Sequence, residues 1–293
     1  MFVADKWKDY EVIGCSNGEK YERWGDILLR RPDPQVIWPD PDFESYCKPH
    51  AVYNRSSTGG GSWTRYKSLP ATWKIGYESL GKKLSFIIEP TPFKHTGLFP
   101  EQAANWDFCG KLIEDAVRQG KKDIKILNLF AYTGGATLAA SCHGASEVVH
   151  VDASKGMIAR AKENVSASGL QENYIRFIAE DCQKFVEREI RRGRKYDGII
   201  MDPPAYGRGP SGELWKLEDS IYDFVSRAAL LLSDDPLFFV LSSYATEITG
   251  EAISQVVRLC LPDGNITCGE LGLPVTNGGV FLPCGSTTRW SPR

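Results

Sequence analysis

Ile126-Leu-Asn-Leu-Phe-Ala-Tyr-Thr-Gly-Gly-Ala-Thr-Leu-Ala-Ala140, followed by Glu147-Val-Val-His-Val-Asp152, reads as strand, glycine turn, short helix, second strand and terminal acid. This is one half of a nucleotide-binding α/β unit. Gly134 and Gly135 leave the turn without side-chain bulk, so the backbone can approach a ligand closely, and the open N–H groups starting the next helix face the same spot. Asp152 ends the second strand 18 residues after Gly134, near the roughly 20-residue spacing at which such an acid reaches a ribose diol. A Gly-Gly pair and an acid taken alone are equally a helix-capping turn and a solvated Asp, so the residues downstream decide between the two.

Outward from this unit, strands and helices alternate from Lys125 onward, which predicts a parallel sheet with helices on both faces. The strands read as 125–130, 147–151, 174–179, 196–201 and 237–242, with helices starting near Gly135, Ser154, Asp181, Lys216 and Thr249. Met157, Ile158, Ala161 and Val165 give the helix from Ser154 an apolar face. The run from Asn265 and the run from Val280, joined by Asn277-Gly-Gly279, suggest a closing hairpin.

Residues 1–90 differ in texture. Pro32, Pro34, Pro39, Pro41, Pro49 and Gly59-Gly-Gly61 punctuate short runs rich in Trp and Tyr, predicting a small antiparallel β lobe with strands near Glu11, Asp26, Ala71 and Leu84. Its tryptophans are expected to form its core, with base stacking as the other use for such rings. Residues 91–293 form the second expected unit. Its helix to about Gln119 is entered through a bridge carrying His95, Thr96, Glu101 and Gln102, placed either to reach the ligand or simply to connect the two units.

Composition bounds the partners. A net charge of -2 over 293 residues gives no global attraction to nucleic acid, so any such contact must come from local patches. The eight cysteines are scattered without a C-x-x-C pair, which argues against a metal site and for reduced thiols in a cytoplasm. No stretch approaches 18 uninterrupted apolar residues, so no membrane partner is expected.

Ligands of an open parallel sheet sit at the carboxyl ends of its strands. The residues there are Ala131-Tyr-Thr-Gly-Gly135, Asp152, Glu180-Asp-Cys182, Asp202-Pro-Pro-Ala-Tyr206 and Ser242-Ser-Tyr-Ala-Thr246. Two consecutive prolines stiffen the fourth segment and remove two N–H donors, turning carbonyls and the Asp202 carboxylate toward the cleft. Such an acceptor-lined loop suits an amine nucleophile, with Tyr206 placed to stack on a planar base.

In this order and spacing, Asn128-Leu-Phe-Ala-Tyr-Thr-Gly-Gly135, Val151-Asp152, Glu180-Asp-Cys182 and Met201-Asp-Pro-Pro-Ala-Tyr206 resemble the class I S-adenosylmethionine-dependent methyltransferases. Within that class the likeness is to the bacterial large-subunit ribosomal RNA methyltransferases that act on cytosine C5 or guanine N7. The resemblance implies a Rossmann-like α/β fold with a seven-stranded sheet whose last strand is antiparallel. It implies S-adenosyl-L-methionine as cofactor, bound by His95, Gln102, Asn128, Phe130, Ala131, Tyr132, Thr133, Gly134, Gly135, Asp152, Ala153, Asp181, Cys182 and Asp202. In it the 130–135 turn takes the methionine part, Asp152 the ribose hydroxyls, Asp181 the adenine amine and Asp202 the reacting end, with 95–102 as a covering loop.

Cytosine C5 chemistry needs a thiolate nucleophile, and the relatives that perform it carry Cys after the fifth strand, where this chain has Ser242-Ser243. In-line transfer to a base nitrogen of RNA, with ribosomal RNA as substrate, is therefore expected. Asp202, Pro203 and Tyr206 are its catalytic candidates; Tyr206, Arg208 and Lys216 are the substrate-binding candidates. A small-molecule or protein substrate and a noncatalytic cofactor- or RNA-binding subunit stay open as alternatives. A nicotinamide dehydrogenase would need a G-x-G-x-x-G turn, which Tyr-Thr-Gly-Gly-Ala-Thr does not match.

Overall fold

Every side chain of residues 147–151 is buried, as are Ile126, Leu127 and Leu129, the signature of strands covered on both faces. The computed structural model, which describes residues 1–56, 60–92, 94–208 and 214–293, with Arg208 by its backbone alone, places both runs at the centre of one sheet. The N-terminal part holds β1 (Phe2–Val3), β2 (Tyr10–Ser16), β3 (Glu19–Trp24), β4 (Ile27–Pro32), the single turn α1 (Phe43–Tyr46), β5 (Ala51–Arg55), β6 (Gly61–Arg65), β7 (Trp73–Ser79) and β8 (Lys82–Ile88). A 3-10 turn at Pro100–Gln102 then opens α2 (Ala103–Arg118). The alternating part follows as β9 (Lys125–Leu129), α3 (Gly135–Cys142), β10 (Glu147–Asp152), α4 (Lys155–Ala167), β11 (Ile175–Ala179), α5 (Cys182–Arg191) and β12 (Gly198–Met201). The chain continues through β13 (Tyr206–Arg208), β14 (Leu214–Lys216), α6 (Leu217–Ala229), β15 (Phe238–Ser243), α7 (Gly250–Cys260), β16 (Asn265–Pro274) and β17 (Phe281–Ser291).

The central sheet has eight strands in the order β1-β16-β17-β15-β12-β9-β10-β11. All neighbours are parallel except β17, which is antiparallel to β15 and β16. The seven expected strands and their antiparallel last member are all present. The eighth is β1, which pairs Phe2 with Leu271; two residues carry no readable periodicity. β10 and β12 lie on opposite sides of β9, so chain order reverses there and a crevice opens at the carboxyl ends of β9 and β12.

Three expected helix starts are fixed by side-chain caps. Ser154 Oγ accepts from the Met157 N–H at 3.4 Å, Asp181 Oδ1 from the Lys184 N–H at 3.0 Å, and Thr249 Oγ1 from the Ala252 N–H at 3.2 Å.

β2 to β6 form a separate five-stranded sheet and β7–β8 a hairpin. The strands β3, β5 and β6 were not anticipated. In β3 the reason is a charged cluster at core positions, Lys20 and Glu22, which sequence alone places outside. Glu22 is fully buried and accepts from Tyr10 OH at 2.7 Å and from both Arg31 Nε (2.5 Å) and Nη2 (2.8 Å). Burial pushes its carboxyl up, but Arg31 and Lys20 outweigh that and hold it at about 2. Trp24 is buried and Trp7, Trp38, Trp63 and Trp73 pack around the same cluster, so the tryptophans are core residues.

That cluster runs through residue 90, joining Trp24, Ile75 and Phe86 to Leu98, Trp106, Leu138 and Val165. Polar struts accompany it. The Ile87 N–H donates to Asn164 Oδ1 at 2.8 Å, and Ser79 Oγ, His143 and Glu114 form a hydrogen-bonded series (2.9 and 2.8 Å) between β7, α3 and α2. Although this series has the order of a hydrolase triad, Ser79 has no exposed surface, so it braces the fold.

Candidate active site

The turn after β9 is held in an uncommon conformation. Phe130 (φ 55°), Tyr132 (φ 51°) and Gly134 (φ 92°) all lie in the left-handed region, which for a side-chain-bearing residue costs about 1–2 kcal/mol. Surrounding groups over-determine it. The Phe130 N–H reaches Cys182 Sγ (3.3 Å), the Ala131 N–H the Val151 carbonyl (3.0 Å), the Tyr132 N–H Asp152 Oδ2 (2.9 Å) and the Gly134 N–H the Ala131 carbonyl (3.0 Å). Thr133 Oγ1 donates to the Gly97 carbonyl at 2.6 Å. The strain turns the Phe130 and Tyr132 rings into a cavity at the strand ends.

This cavity, about 560 Å³, follows the strand order. Asp202, Pro203 and Pro204 come from the end of β12, Phe130 and Tyr132 from β9, Asp152, Ala153 and Ser154 from β10, and Asp181, Cys182 and Gln183 from β11. Asp152 Oδ1 accepts from the Ser154 N–H (2.8 Å) and Oδ2 from the Tyr132 N–H (2.9 Å). Each oxygen retains a second lone pair. Asp181 uses one oxygen to cap α5. Cys182 is buried beneath the turn, and burial raises its thiol far above the usual range, so it stays an S–H.

At the β12 end a cluster of acids and their donors forms. Burial first, and then the neighbouring Glu101, push the Asp202 carboxyl up to about 7. Gln102 Nε2 donates to Asp202 Oδ2 (3.4 Å) and to Tyr244 OH (3.0 Å), and Tyr244 OH donates to Glu101 Oε1 (2.9 Å). Burial raises the Glu101 carboxyl as well. Two acids that both resist ionisation share one set of donors here. On the other wall, burial and then Lys94 and Arg31 lower His95 to about 4, so its imidazole is neutral at physiological pH.

Of the residues expected to touch cofactor, His95, Phe130, Tyr132, Asp152, Ala153, Asp181, Cys182 and Asp202 line the cavity, and Pro203 lines it beside them. Gln102 stands one hydrogen bond behind, through Asp202 and Tyr244. Asn128 is buried and donates to Thr137 Oγ1 (2.9 Å), tying β9 to α3. Ala131, Thr133 and Gly134 form the turn backbone. At Gly135 the missing side chain serves packing, since a Cβ there would lie 2.4 Å from Trp106 Cζ2. Tyr206, 56% exposed, and Lys216 sit on the β13–β14 hairpin outside the lining, and the Arg208 side chain lies outside the described residues. Sequence reasoning missed Phe99, Trp215 and Tyr244. Phe99 lies 5.3 Å from Tyr132 and 5.7 Å from Tyr244 by ring centroids, and Trp215 Nε1 donates to the Pro204 carbonyl at 2.6 Å, pinning the proline loop. Phe99 and Tyr244 each had a signal, the one its place in the 95–102 bridge and the other its place just after β15. Among the described residues no group of three or more His, Cys, Asp or Glu could hold a metal, and no helix is long and apolar enough to cross a membrane.

The model of the S-adenosylmethionine-dependent methyltransferase family matches residues 70–219, half of the chain. A crystal structure of a SAM-dependent methyltransferase from Agrobacterium tumefaciens superposes with a TM-score of 0.90 at 34% identity, covering 99% of this chain and 93% of that one. The chain belongs to the S-adenosylmethionine-dependent methyltransferase family. A putative methyltransferase from Streptococcus mutans shares the fold (TM-score 0.72, 17% identity, 98% and 76% coverage). Among curated sequences, the methyltransferase is 34% identical over 225 residues to the ribosomal RNA large subunit methyltransferase K/L of Shewanella baltica; the match covers 74% of this chain and 28% of that much longer protein.

S-adenosylmethionine is the family's methyl donor, and the cavity of this methyltransferase fits it. Its volume lies within the roughly 300–1,000 Å³ of small-molecule sites. Asp152 offers the paired acceptors a vicinal diol takes, the rings of Phe130 and Tyr132 give apolar walls, and Asp181 and Asp202 stand at opposite ends of the strand-end row.

Proposed function

We propose that this methyltransferase modifies a nitrogen of a nucleobase in ribosomal RNA by direct in-line transfer, with residues 91–293 as the catalytic unit and 1–90 as an accessory β lobe. The observation that carries the reading is the Asp202-Pro-Pro segment, a stiff acceptor-rich loop with a carboxyl poised near neutrality at one end of the cofactor cavity. Two further facts support it. Relatives such as those of Shewanella baltica and of an Enterobacter species (40% identical over 91 residues, 31% of this chain and 23% of that one) are named as ribosomal RNA large subunit methyltransferases. The second is that Ser242 and Ser243, buried and hydrogen-bonded, stand after β15 where a thiol nucleophile would be needed, and among the described residues Cys182, held as a buried S–H, is the one cysteine lining the cavity.

S-adenosylmethionine, when bound, supplies an electrophilic methyl group on a sulfonium. Asp152 holds the ribose hydroxyls, Asp181 the adenine amine, and the 130–135 turn the methionine part. The Asp202 carboxylate and the Pro203 carbonyl accept the N–H groups of the attacking base nitrogen, and Asp202 takes up the proton released as the N–C bond forms and the methyl–sulfur bond breaks, the donor leaving as a neutral thioether. Alignment and these fixed acceptors supply the catalysis. Tyr206 stacks on the target base, with Lys216 toward its phosphates and Arg208 the second phosphate candidate of that segment by residue type.

The test is transfer from radiolabelled S-adenosylmethionine to deproteinised ribosomal RNA and to intact large subunits, followed by nucleoside mass spectrometry. A base-methylated nucleoside that vanishes in Asp202→Ala, while cofactor binding persists, is the expected result. Label that enters only protein or small molecules refutes the RNA reading.

A further inference from the structure

A target base fills only the cavity, and the nucleotides flanking it need a surface of their own. Lys94 and His95, which line the cofactor cavity, also line a neighbouring cleft of about 180 Å³ together with Tyr53, Arg55 and Gly60. The cleft is built rather than incidental. Tyr53 OH donates to the Pro92 carbonyl (3.2 Å) and Trp63 Nε1 to the Thr91 carbonyl (2.7 Å), latching the β5–β6 hairpin onto the segment that leads to the active site. Ala51 and Tyr53 are buried and Trp63 packs on the core beneath the hairpin, which leaves Arg55, Arg65 and Lys67 exposed along its outer margin, where β6 is the edge strand of its sheet.

Charge along this margin is uncompensated. Arg55, Arg65 and Lys67 are exposed and enter no ion pair among the described residues, whereas Lys20 and Arg31 nearby are taken up by Glu22 and Asp33. Burial first, then Lys20, Arg31 and Arg55 against the opposing Asp33, lower the Lys94 ammonium below its ordinary range. An anion entering the cleft relieves that repulsion. In a protein with a net charge of -2, a basic face joined to the catalytic cavity is the local patch that polyanion binding requires.

We propose that the RNA strand leaves the active site past Lys94 and His95 and runs along the exposed outer margin of the β5–β6 hairpin, its phosphates on Arg55, Arg65 and Lys67. The proposal rests on the RNA reading above, and one experiment separates the two. Fluorescence anisotropy with a short labelled single-stranded RNA is measured over a salt series for wild type and Arg55→Gln/Arg65→Gln, with S-adenosylmethionine binding followed by calorimetry. Each lost phosphate contact on single strands removes about 0.7 from the slope of log affinity against log salt, so the double variant should lose about 1.4. Its affinity should fall by at least about tenfold, with cofactor affinity unchanged. If the double variant does not fold, the exposed Lys67→Glu carries the same test with a slope change of about 0.7 or more. Unchanged RNA affinity and slope in a variant that binds cofactor overturns this surface and leaves RNA methylation standing. A wild type that binds cofactor yet neither binds nor labels RNA overturns both.

Discussion

Replacing Asp202 with asparagine should stabilise the fold and destroy the activity, and pH separates the two effects. The Asp202 carboxyl moves from 3.8 to about 7, by burial and then by Glu101. At about 1.4 kcal/mol per unit, the ionised group costs the folded state about 4 kcal/mol. Water entering the cavity mouth reduces this to about 2–3 kcal/mol. A raised acid leaves stability intact below its unfolded value and removes it as pH rises, so the loss begins near 3.8, grows through neutrality and is complete above about 8. A side-chain amide cannot ionise, so Asp202→Asn should match wild type near pH 4 and exceed it at about pH 8.5 by roughly 3–5 °C in Tm. Turnover tracks the ionised acceptor. Wild-type kcat should rise with pH through about 7 and then level, while the variant loses about 100-fold or more with no such rise. Differential scanning calorimetry in matched buffers and single-turnover transfer assays read both effects. A Tm difference that stays constant from acid to alkaline pH would refute the assignment of this carboxyl as a buried, strained acceptor.

Asp152→Ala removes the paired diol acceptors and the anchor of the Tyr132 N–H, and should weaken S-adenosylmethionine by about 100-fold or more in calorimetric titration; an unchanged Kd would withdraw the ribose role. Gly135→Ala drives a Cβ to 2.4 Å from Trp106 Cζ2 and should cost about 1–3 kcal/mol in urea unfolding. Trp106→Leu in the same chain should recover part of that loss, and strict additivity would show that the two positions do not meet. Glu22→Gln leaves Arg31 and Lys20 without their buried carboxylate and should destabilise by about 3–5 kcal/mol at neutral pH. Because Glu22 is depressed to about 2, its contribution in wild type is present above the ordinary carboxylate range and is lost as pH falls from about 4.5 toward 2. Acid unfolding that is identical in the two proteins would contradict this.

The sequence by itself determined strands β9 to β12 and β15 to β17 in their order, the helix starts at Ser154, Asp181 and Thr249, and the row of strand-end residues from Asp202 to Asp181. These are legible because period, cap chemistry and β-branched composition act over a few residues, and because a parallel sheet has to gather its carboxyl ends on one edge. What each residue does on that edge was decided by contacts between distant parts of the chain. Asn128 and Gly135 lie in the motif yet serve α3 and Trp106, while Tyr244 and Phe99 meet Tyr132 and Gln102 across the cavity. The strand β3 was hidden because its buried charges are tolerable only once Arg31 and Tyr10 have folded around them. Residues this far apart meet only through packing, which is cooperative and leaves no local period in the chain. Tertiary structure therefore placed the Asp202 acid beside Glu101, and Arg55 of β5 beside Lys94.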